Sequence, residues 1–451
     1  MASSKAPTLA EAQKLNQEYE LPNPEAYSSY QLGIYSAFRS PPFSTKPSEW
    51  ERLAREKVPA ANFGYVFGSA SSHRTYASNI AAFDRYRLKP SMLVNATRRD
   101  LRVELFGGRE VLRNPILVAP VGVQKIMHAD AEEATARACK EVGVPMILST
   151  AATRTIEEVA TANGDGQRWY QLYWPRPQHE AITASLLHRA KSNGYTTLVV
   201  TLDTFTLAWR PTDLDSAYLP FLFGDGCQIG HSDPIFNAQY EAQLAADPRT
   251  AKEKLAEAWG IIKRNGTVFG AAKILGNAKL IAKSRAWLDV MNSGTYREWS
   301  HLEVLKQLWD GPIVLKGIQT VGDARRAAEY GMSGIIVSNH GGRQLDGAIA
   351  SLDALAEIAA DEMVKASNMD ILFDSGIRTG SDVLKALALG AKAVLVARPY
   401  MYGLAIGGQQ GVEHVLRCLL ADTDNSLANL GKRSIKDVGR GDLQIRGEAK
   451  L

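Results

Sequence analysis

The sequence predicts an α/β protein built on a TIM (β/α)8 barrel. From Pro115 onward, short apolar runs rich in β-branched residues alternate with amphipathic stretches of helical periodicity. There are eight such runs, which is the number of strands in a closed barrel of βα units. Polar and charged residues follow the runs directly, where such a barrel carries its binding loops. A doubly wound open sheet is the alternative, but no Gly-x-Gly-x-x-Gly follows the first run to favour it.

The elements follow one another in regular order. The predicted strands are Ile116–Pro120, Met146–Ser149, Tyr170–Tyr173, Thr197–Asp203, Pro312–Lys316, Gly334–Ser338, Asp370–Asp374 and Ala393–Ala397. The predicted helices between them include Ala131–Glu141, Ala181–Lys191, Val321–Tyr330 and Ser381–Leu389. Asp130 precedes the first of these helices and is a good N-cap residue.

Three further segments accompany the barrel, which we assign to residues 111–438. Residues 1–110 are predicted to form an N-terminal extension of helices and a hairpin that packs on the barrel, and residues 439–451 form a C-terminal tail. The regular alternation breaks after the fourth strand, at residues 216–309. This long insertion contains a helical stretch at Ala251–Lys263 and a Gly/Asn-rich stretch at Phe269–Asn277. A connection of this length is typical of a lid or a functional loop.

The composition excludes several classes of function. The net charge of +4 over 451 residues gives no basic surface for nucleic acid. No apolar run is long enough to cross a bilayer, and residues 1–22 resemble neither a secretory signal nor a transit peptide. The three cysteines lie far apart, which indicates a reducing compartment and no metal site.

The last three residues, Ala449-Lys450-Leu451, resemble the Ser-Lys-Leu peroxisomal address. A chance tripeptide is the alternative interpretation. We therefore expect a peroxisomal or a cytoplasmic location, and production of peroxide by the protein would favour the peroxisome.

The ends of the seventh and eighth strands predict a phosphate site. Gly376 lets backbone N–H groups approach an anion closely, and Arg378 and Arg398 supply charge with fork geometry. Barrels of this type often bind phosphate at these two loops. Two surface arginines beside tight turns are the alternative interpretation.

The fourth and sixth strand ends predict an acid–base site. His340 precedes a Gly-Gly turn, and Asp203 is a candidate partner that would hold its ring in one tautomer. Arg343 and Arg210 are suited to grip an anionic substrate. A structural role is the alternative for each residue taken alone.

Three further side chains are candidates for the same site. Lys316 ends the fifth strand and is a candidate fixed cation beside a group that becomes anionic, as a reduced flavin does at N1. A lysine that extends to solvent at the barrel rim is the alternative. Tyr173 and Tyr65 are candidate hydrogen-bond donors, although spacing alone fits a buried structural role for Tyr65 equally well.

These residues lie in motifs that resemble the FMN-dependent 2-hydroxy-acid oxidases and dehydrogenases, which include glycolate oxidase and lactate oxidase. The resemblance covers about residues 57–438. The motifs are Ser338-Asn-His340-Gly-Gly-Arg343-Gln, Leu315-Lys316-Gly317, Tyr170-Gln-Leu-Tyr173 and Phe373-Asp-Ser-Gly376-Ile-Arg378-Thr-Gly380. Within the family, the stretches Thr201-Leu-Asp-Thr204, Trp209-Arg-Pro-Thr-Asp213 and Asp233-Pro-Ile-Phe236 look most like lactate 2-monooxygenase.

The resemblance implies a role for each residue of the site. His340 would be the base and Asp203 would orient it. Arg343 and Arg210, with Tyr65, would bind the substrate carboxylate, while Tyr173 would bond the substrate oxygen. Lys316 would stabilise the reduced flavin. The residues that would contact the FMN ring are Pro120, Val121, Gly122, Ser149, Gln171, Thr201 and Ser338, and those that would hold its ribityl chain and phosphate are Asp374, Gly376, Arg378, Ala397 and Arg398.

Three departures from the family pattern bear on the substrate. Ala151 stands where glycolate oxidases carry Trp, which leaves more space for a substrate side chain. The stretch Gly64-Tyr-Val-Phe-Gly-Ser-Ala70 and the residue Ala397 also differ from the pattern of many relatives.

The resemblance implies FMN-dependent oxidation of a small, lactate-like L-2-hydroxy acid, with O2 as acceptor because no haem-binding domain is evident. Oxidative decarboxylation of the product is a further outcome in this family. The resemblance also implies a homo-oligomer, a tetramer. Two other classes remain open: an FMN barrel enzyme such as a nitronate oxidase or an isomerase, and a non-catalytic ligand-binding descendant. The two arginines argue against the first of these, and the complete set of His340, Asp203, Arg343 and Lys316 argues against the second.

Overall fold

Eight parallel strands form a closed barrel in this computed structural model. The model describes residues 21–38, 40–250, 276–292 and 294–446, together with residues 8 and 9 and scattered positions in 252–263. The barrel strands are β4 (Ile116–Val118), β5 (Met146–Ser149), β6 (Arg168–Tyr173), β7 (Leu198–Thr201), β8 (Ile313–Ile318), β9 (Gly334–Val337), β10 (Asp370–Phe373) and β11 (Ala393–Val396). Their order around the barrel is β10-β11-β4-β5-β6-β7-β8-β9.

All eight predicted strands are confirmed, and the open-sheet alternative is excluded. Their boundaries differ by up to two residues. The prediction for β4 runs to Pro120, but the strand ends at Val118, since a proline has no N–H to donate to the neighbouring strand. Strands β4, β5, β7, β9, β10 and β11 are buried along their whole length, as expected for a sheet covered on both faces.

The four predicted barrel helices are also confirmed, at Ala131–Val142, Glu180–Ser192, Val321–Glu329 and Gly380–Ala388. Asp130 occupies the N-cap position of the first helix, but the prediction that it caps the helix is wrong: its side chain makes no capping hydrogen bond. The backbone of Asp130 is helical, with φ of −76° and ψ of −13°, whereas a capping residue is not. Its carboxylate lies 3.8 Å from the guanidinium of Arg137, two turns further along the same helix.

The other helices cover the outside of the barrel and its carboxyl end. They are Ser29–Ser36, Pro47–Lys57, Ala60–Phe67, Arg74–Ala81, Ile156–Asn163, Pro211–Asp215, Gln228–His231, Pro234–Ala246, Ala278–Met291, Leu302–Leu308, Ser351–Ile358, Glu362–Ala366 and Arg398–Asn429. The last of these is interrupted at Gly407 and Gly408, whose backbone is not helical.

A predicted hairpin closes the amino end of the barrel. Its strands are β2 (Val103–Leu105) and β3 (Glu110–Leu112). The ring of Phe106, at its turn, lies 5.7 Å from that of Trp169 at the start of β6. The backbone N–H of Phe106 donates to the carboxylate of Asp370, at the start of β10. Any site in the barrel axis must therefore open at the opposite, carboxyl end.

The N-terminal extension reaches that carboxyl end. The carboxylate of Asp346 accepts backbone N–H groups of Ser72 and Arg74, at 2.9 and 2.8 Å, and so holds the start of the helix Arg74–Ala81 over the barrel. At its other end the extension forms β1 (Tyr86–Leu88), which pairs with β12 (Leu443–Ile445) of the C-terminal segment.

The insertion after β7 also lies at the carboxyl end. Its helix Ala278–Met291 packs against the turn Pro220–Phe223. Helix Leu302–Leu308, inside the range assigned to the insertion, packs beside Glu180–Ser192 in the manner of an outer barrel helix. The predictions for Ala251–Lys263, Phe269–Asn277 and Ala449–Leu451 lie wholly or largely outside the described residues.

Within the described ranges, no helix has the length and apolar character needed to span a bilayer. The same residues contain no group of three or more acidic, His or Cys side chains arranged to hold a metal ion. Cys139 and Cys227 are buried, Cys418 is partly buried, and all three are unpaired.

Candidate active site

A pocket opens at the carboxyl ends of the barrel strands. The predicted site residues that line it are Tyr65, Pro120, Val121, Gly122, Tyr173, Arg210, Lys316, His340, Arg343, Asp374, Gly376, Arg378, Ala397 and Arg398. Five other predicted site residues do not line this pocket. Asp203, just beyond the end of β7, is partly buried, and the other four are buried near the strand ends: Ser149, Gln171, Thr201 and Ser338.

His340 and Asp203 form a hydrogen-bonded pair. The ring Nδ1 of His340 lies 2.8 Å from Oδ1 of Asp203, which leaves Nε2 as the free ring nitrogen. The Thr204 hydroxyl donates to the same carboxylate oxygen at 2.8 Å. His340 has a left-handed backbone, with φ of 58°, and the hydroxyl of Ser338 accepts its N–H. The turn after β9 therefore fixes both the backbone and the ring of His340.

The electrostatics favour a neutral His340 opposite an ionised Asp203. Burial lowers the pKa of His340; Asp203 opposes that shift, and the charge of Lys316 adds to it. Burial would raise the pKa of Asp203, but the interaction with His340, the charge of Lys316 and the hydrogen bond from Thr204 outweigh it and hold that pKa well below its usual range. At neutral pH the ring is thus unprotonated and can accept a proton. The neighbouring carboxylate of Asp203 stabilises the protonated form once it has formed.

Two guanidinium groups, those of the buried Arg210 and the partly buried Arg343, lie on the same side of the pocket. Arg210 donates to the carbonyl of Arg343 at 3.1 Å and to Gln344 Oε1 at 2.7 Å. Arg343 donates to the carbonyl of Gly68 at 2.6 Å, and its guanidinium lies 5.6 Å from the centre of the Tyr65 ring. Among the described residues, neither arginine has a carboxylate within ion-pair distance.

The two arginines and a third cation repel one another. Burial lowers the pKa of Arg343, and the charges of Arg210 and Arg398 lower it further. An anion bound between Arg343 and Arg210 would relieve this repulsion. The arrangement is therefore complementary to a carboxylate, which accepts two parallel N–H bonds from a guanidinium.

Lys316 is buried, with 4% of its surface exposed, so the alternative of a lysine that extends to solvent is wrong. Its Nζ lies 3.3 Å from Asp374 Oδ2 and donates to the Ser338 hydroxyl at 2.9 Å. Burial disfavours its charge, but the carboxylates of Asp374 and Asp203 outweigh burial and raise the pKa of Lys316. The pocket therefore has a permanent positive charge in its wall.

Tyr173 and Tyr65 keep their protons. Burial raises the pKa of Tyr173, and the carboxylate of Asp203 raises it further. Burial likewise raises the pKa of Tyr65, against the opposing charges of Arg210 and Arg343. Both phenols therefore remain hydrogen-bond donors in the physiological range.

The phosphate end of the pocket contains donors without partners. Nη2 of Arg378 and Nε of Arg398 are both buried, and neither has a hydrogen-bond acceptor in the part of the chain that the structure describes. Gly376 has a φ of 106°, and a Cβ there would lie 2.6 Å from the carbonyl oxygen of Asn79. Only glycine fits this turn, which brings the backbone next to the two arginines.

A second set of features fits a flat ring. Nε2 of Gln171 is buried without a hydrogen-bond partner among the described residues, while its Oε1 accepts from the Ser149 hydroxyl at 3.0 Å. A Cβ on Gly122 would lie 2.5 Å from the carbonyl oxygen of Ala151, so only glycine fits beside Ala151 at this edge of the pocket. These residues and the phosphate end together fit a phosphorylated flavin.

Several pocket residues were missed by sequence reasoning. Thr204 was detectable, because it follows Asp203 directly. Ser375, whose hydroxyl donates to Asp374 at 2.7 Å and accepts the N–H of Gly341 at 3.0 Å, was detectable for the same reason. The others give no signal of function. Asn292 looks like an ordinary helix end, and five apolar residues look like ordinary core: Val123, Leu207, Phe221, Leu288 and Met291.

The pocket thus joins a cradle for an anionic cofactor to a site for an anionic substrate beside a base. On a (β/α)8 barrel, this combination defines an oxidoreductase that uses a phosphorylated flavin. The chain belongs to the FMN-dependent dehydrogenase family, whose model matches residues 54–445. FMN is accordingly its cofactor.

Similar proteins cover nearly the whole chain. The FMN-dependent alpha-hydroxy acid dehydrogenase qulF of Penicillium citrinum is 43% identical over 92% of this chain and 96% of its own length. An L-lactate oxidase of Lysinibacillus sphaericus is 36% identical over 88% of this chain and 92% of its own. The crystal structure of mandelate oxidase superposes with a TM-score of 0.71 at 30% identity, over 90% of this chain and 99% of that one. These matches confirm the predicted family and fold, whereas a special closeness to lactate 2-monooxygenase stays a prediction.

Proposed function

We propose that this protein oxidises an L-2-hydroxy acid to the 2-oxo acid and passes the two electrons to O2, which becomes hydrogen peroxide. The observation that carries the proposal is the 2.8 Å pair of His340 and Asp203 in a pocket with two arginines that have no carboxylate of a described residue within ion-pair distance. A nitronate or an isomerase substrate would not need this pair of arginines. The names of the relatives, which act on 2-hydroxy acids, support the same reaction.

The chain's own side chains divide the work between binding and proton transfer. Arg343 and Arg210 would bind the carboxylate, with Tyr65 as a further donor, and Tyr173 would bond the 2-hydroxyl oxygen. Nε2 of His340 would then take the hydroxyl proton as the Cα–H bond breaks. Asp203, fixed on Nδ1, would stabilise the resulting imidazolium ion.

The chemistry supplied by bound FMN is two-electron oxidation and reduction. The residues that would hold its phosphate are Gly376, Arg378, Ala397 and Arg398, with Asp374 on the ribityl chain. Those that would contact its ring are Pro120, Val121, Gly122, Ser149, Gln171, Thr201 and Ser338. Lys316 would supply a fixed positive charge beside the ring, which favours added negative charge there.

A second outcome, decarboxylation of the 2-oxo acid by peroxide before either product leaves, has its own support. Phe221, Leu288 and Met291 of the insertion line the pocket, and a cover over a site slows the release of products. We propose that residues 216–309 act as such a lid.

The test is to measure 2-oxo acid, peroxide, CO2 and the shortened acid together during aerobic turnover. For an oxidase we expect one 2-oxo acid and one peroxide per O2, without CO2. Stoichiometric CO2 and shortened acid, replaced by 2-oxo acid and peroxide in the double variant Leu288→Ala/Met291→Ala, would establish the decarboxylating outcome. Product ratios that this double variant leaves unchanged would contradict the lid.

We also propose a homo-oligomeric, tetrameric state, which the family resemblance supports.

We further propose a peroxisomal location. The sequence Ala449-Lys450-Leu451 and the production of peroxide support this location. Deletion of these three residues should make a fluorescently tagged protein cytosolic and leave its activity intact. Targeting that survives the deletion would refute this role of the tripeptide.

A further inference from the structure

One side of the pocket is apolar and takes no part in the chemistry described above. Phe221, Leu288 and Met291 line it, and Ala151 adds a small residue. The Phe221 ring lies 6.5 Å from the ring of Tyr65, which places this wall beside the predicted carboxylate site. A substrate whose carboxylate is held by the arginines would therefore extend an apolar substituent along this wall.

At the end of this apolar wall lies a polar atom, Oδ1 of Asn292, that has no hydrogen-bond partner among the described residues. Asn292 directly follows the helix Ala278–Met291, and its backbone N–H donates to the carbonyl of Leu288 at 2.8 Å. Its side chain lines the pocket, and its Oδ1 is buried and makes no hydrogen bond to any described residue. Buried hydrogen-bond acceptors in proteins nearly always have a donor. An acceptor in a pocket wall that has none is therefore suited to accept a hydrogen bond from the ligand.

We propose that the substrate is an L-2-hydroxy acid with a large apolar side chain that bears a hydrogen-bond donor at its far end, and that Asn292 Oδ1 accepts this donor. The inference rests on the proposed oxidation of a 2-hydroxy acid. A phenol or an indole side chain meets this description. Lactate does not, because its methyl group offers no donor and little apolar surface.

Two carboxylates that bind but cannot be oxidised allow substrate recognition to be measured without turnover. 3-Phenylpropanoate and 3-(4-hydroxyphenyl)propanoate differ only in the phenolic hydroxyl, and neither has a 2-hydroxyl to oxidise. We expect calorimetry on the holoenzyme to give a dissociation constant about 3- to 10-fold lower for the hydroxylated compound, as one net hydrogen bond provides. In turnover, 2-hydroxy-3-phenylpropanoate should exceed lactate in kcat/KM by roughly tenfold or more, because its side chain is buried.

Variants at Asn292 provide the contrast. Asn292→Leu should abolish the advantage of the phenolic compound and leave the affinity for 3-phenylpropanoate within about twofold. Asn292→Asp keeps an acceptor and should retain the advantage. The matched control is Asp289→Ala, an exposed residue of the same helix that does not line this pocket, and it should behave as the wild type.

Equal binding of the two carboxylates by the wild type would overturn the inference, and so would a phenolic advantage that survives Asn292→Leu. The proposed function fails by a different result, namely that no 2-hydroxy acid reduces the bound flavin. The binding of the unreactive carboxylates does not depend on that result, so the two failures are distinguishable.

Discussion

Replacement of His340 by alanine is expected to leave bound FMN in place and to slow anaerobic flavin reduction by about 10²–10⁴-fold or more. The variant lacks Nε2, the proposed acceptor of the hydroxyl proton, whereas the donors at the phosphate end are untouched. Stopped-flow absorbance measures the reduction rate, and the flavin spectrum measures occupancy. The exposed His188→Ala is the matched control and should be unchanged.

The pH dependence separates a base from a structural histidine. Because burial lowers the pKa of His340, the wild-type reduction rate should be level at neutral pH and fall as the pH drops below the ordinary histidine value of 6.5. Protonation of Nε2 removes the base, so the loss occurs on the acid side only. His340→Gln, of similar size, should be slow at every pH and lack this acid limb. Near-normal reduction in either variant would refute the assignment.

Replacement of Arg343 by lysine is expected to lower kcat/KM by roughly 10- to 150-fold, which corresponds to about 1.5–3 kcal/mol for the loss of one hydrogen bond to a charged group. Lysine keeps the charge but not the fork that matches a carboxylate. It would also lose the bond from Arg343 to the Gly68 carbonyl, so flavin content and thermal unfolding must be measured alongside.

A neutral substrate analogue makes the Arg343 test specific for recognition of the carboxylate. The wild type should prefer a 2-hydroxy acid strongly over its amide, and this preference should decrease in Arg343→Lys, because the second N–H bond to the carboxylate is lost while the charge remains. The exposed Arg87→Lys, on the remote strand β1, should keep the wild-type preference. A preference that is unchanged in Arg343→Lys would show that the carboxylate binds elsewhere.

The sequence was sufficient to predict the barrel because buried parallel strands are continuous apolar runs with sharp ends. The same rule located most of the site: His340, Lys316 and Arg378 follow or end such runs and lie in one pocket. The environment of Lys316 was not predictable. A fixed cation in the pocket and a lysine that extends to solvent differ only in whether the surrounding structure buries the side chain.

The substrate end of the pocket was beyond sequence reasoning. Leu288 and Met291 face the pocket only because their helix packs on the turn Pro220–Phe223, a contact made across a long insertion. Their apolar character alone fits any buried helix. Asp130 fails as a cap for a local reason: its backbone is helical (φ −76°, ψ −13°), whereas a capping residue has non-helical dihedral angles.

We expect above all that the bound flavin accepts electrons from an L-2-hydroxy acid. Anaerobic titration of the purified holoenzyme with a panel of 2-hydroxy acids tests this directly, by absorbance of the flavin band. The L-enantiomers should bleach this band with one equivalent per site, the D-enantiomers should leave it unchanged, and denaturation should release FMN. A flavin band that no 2-hydroxy acid bleaches would contradict the proposed oxidation.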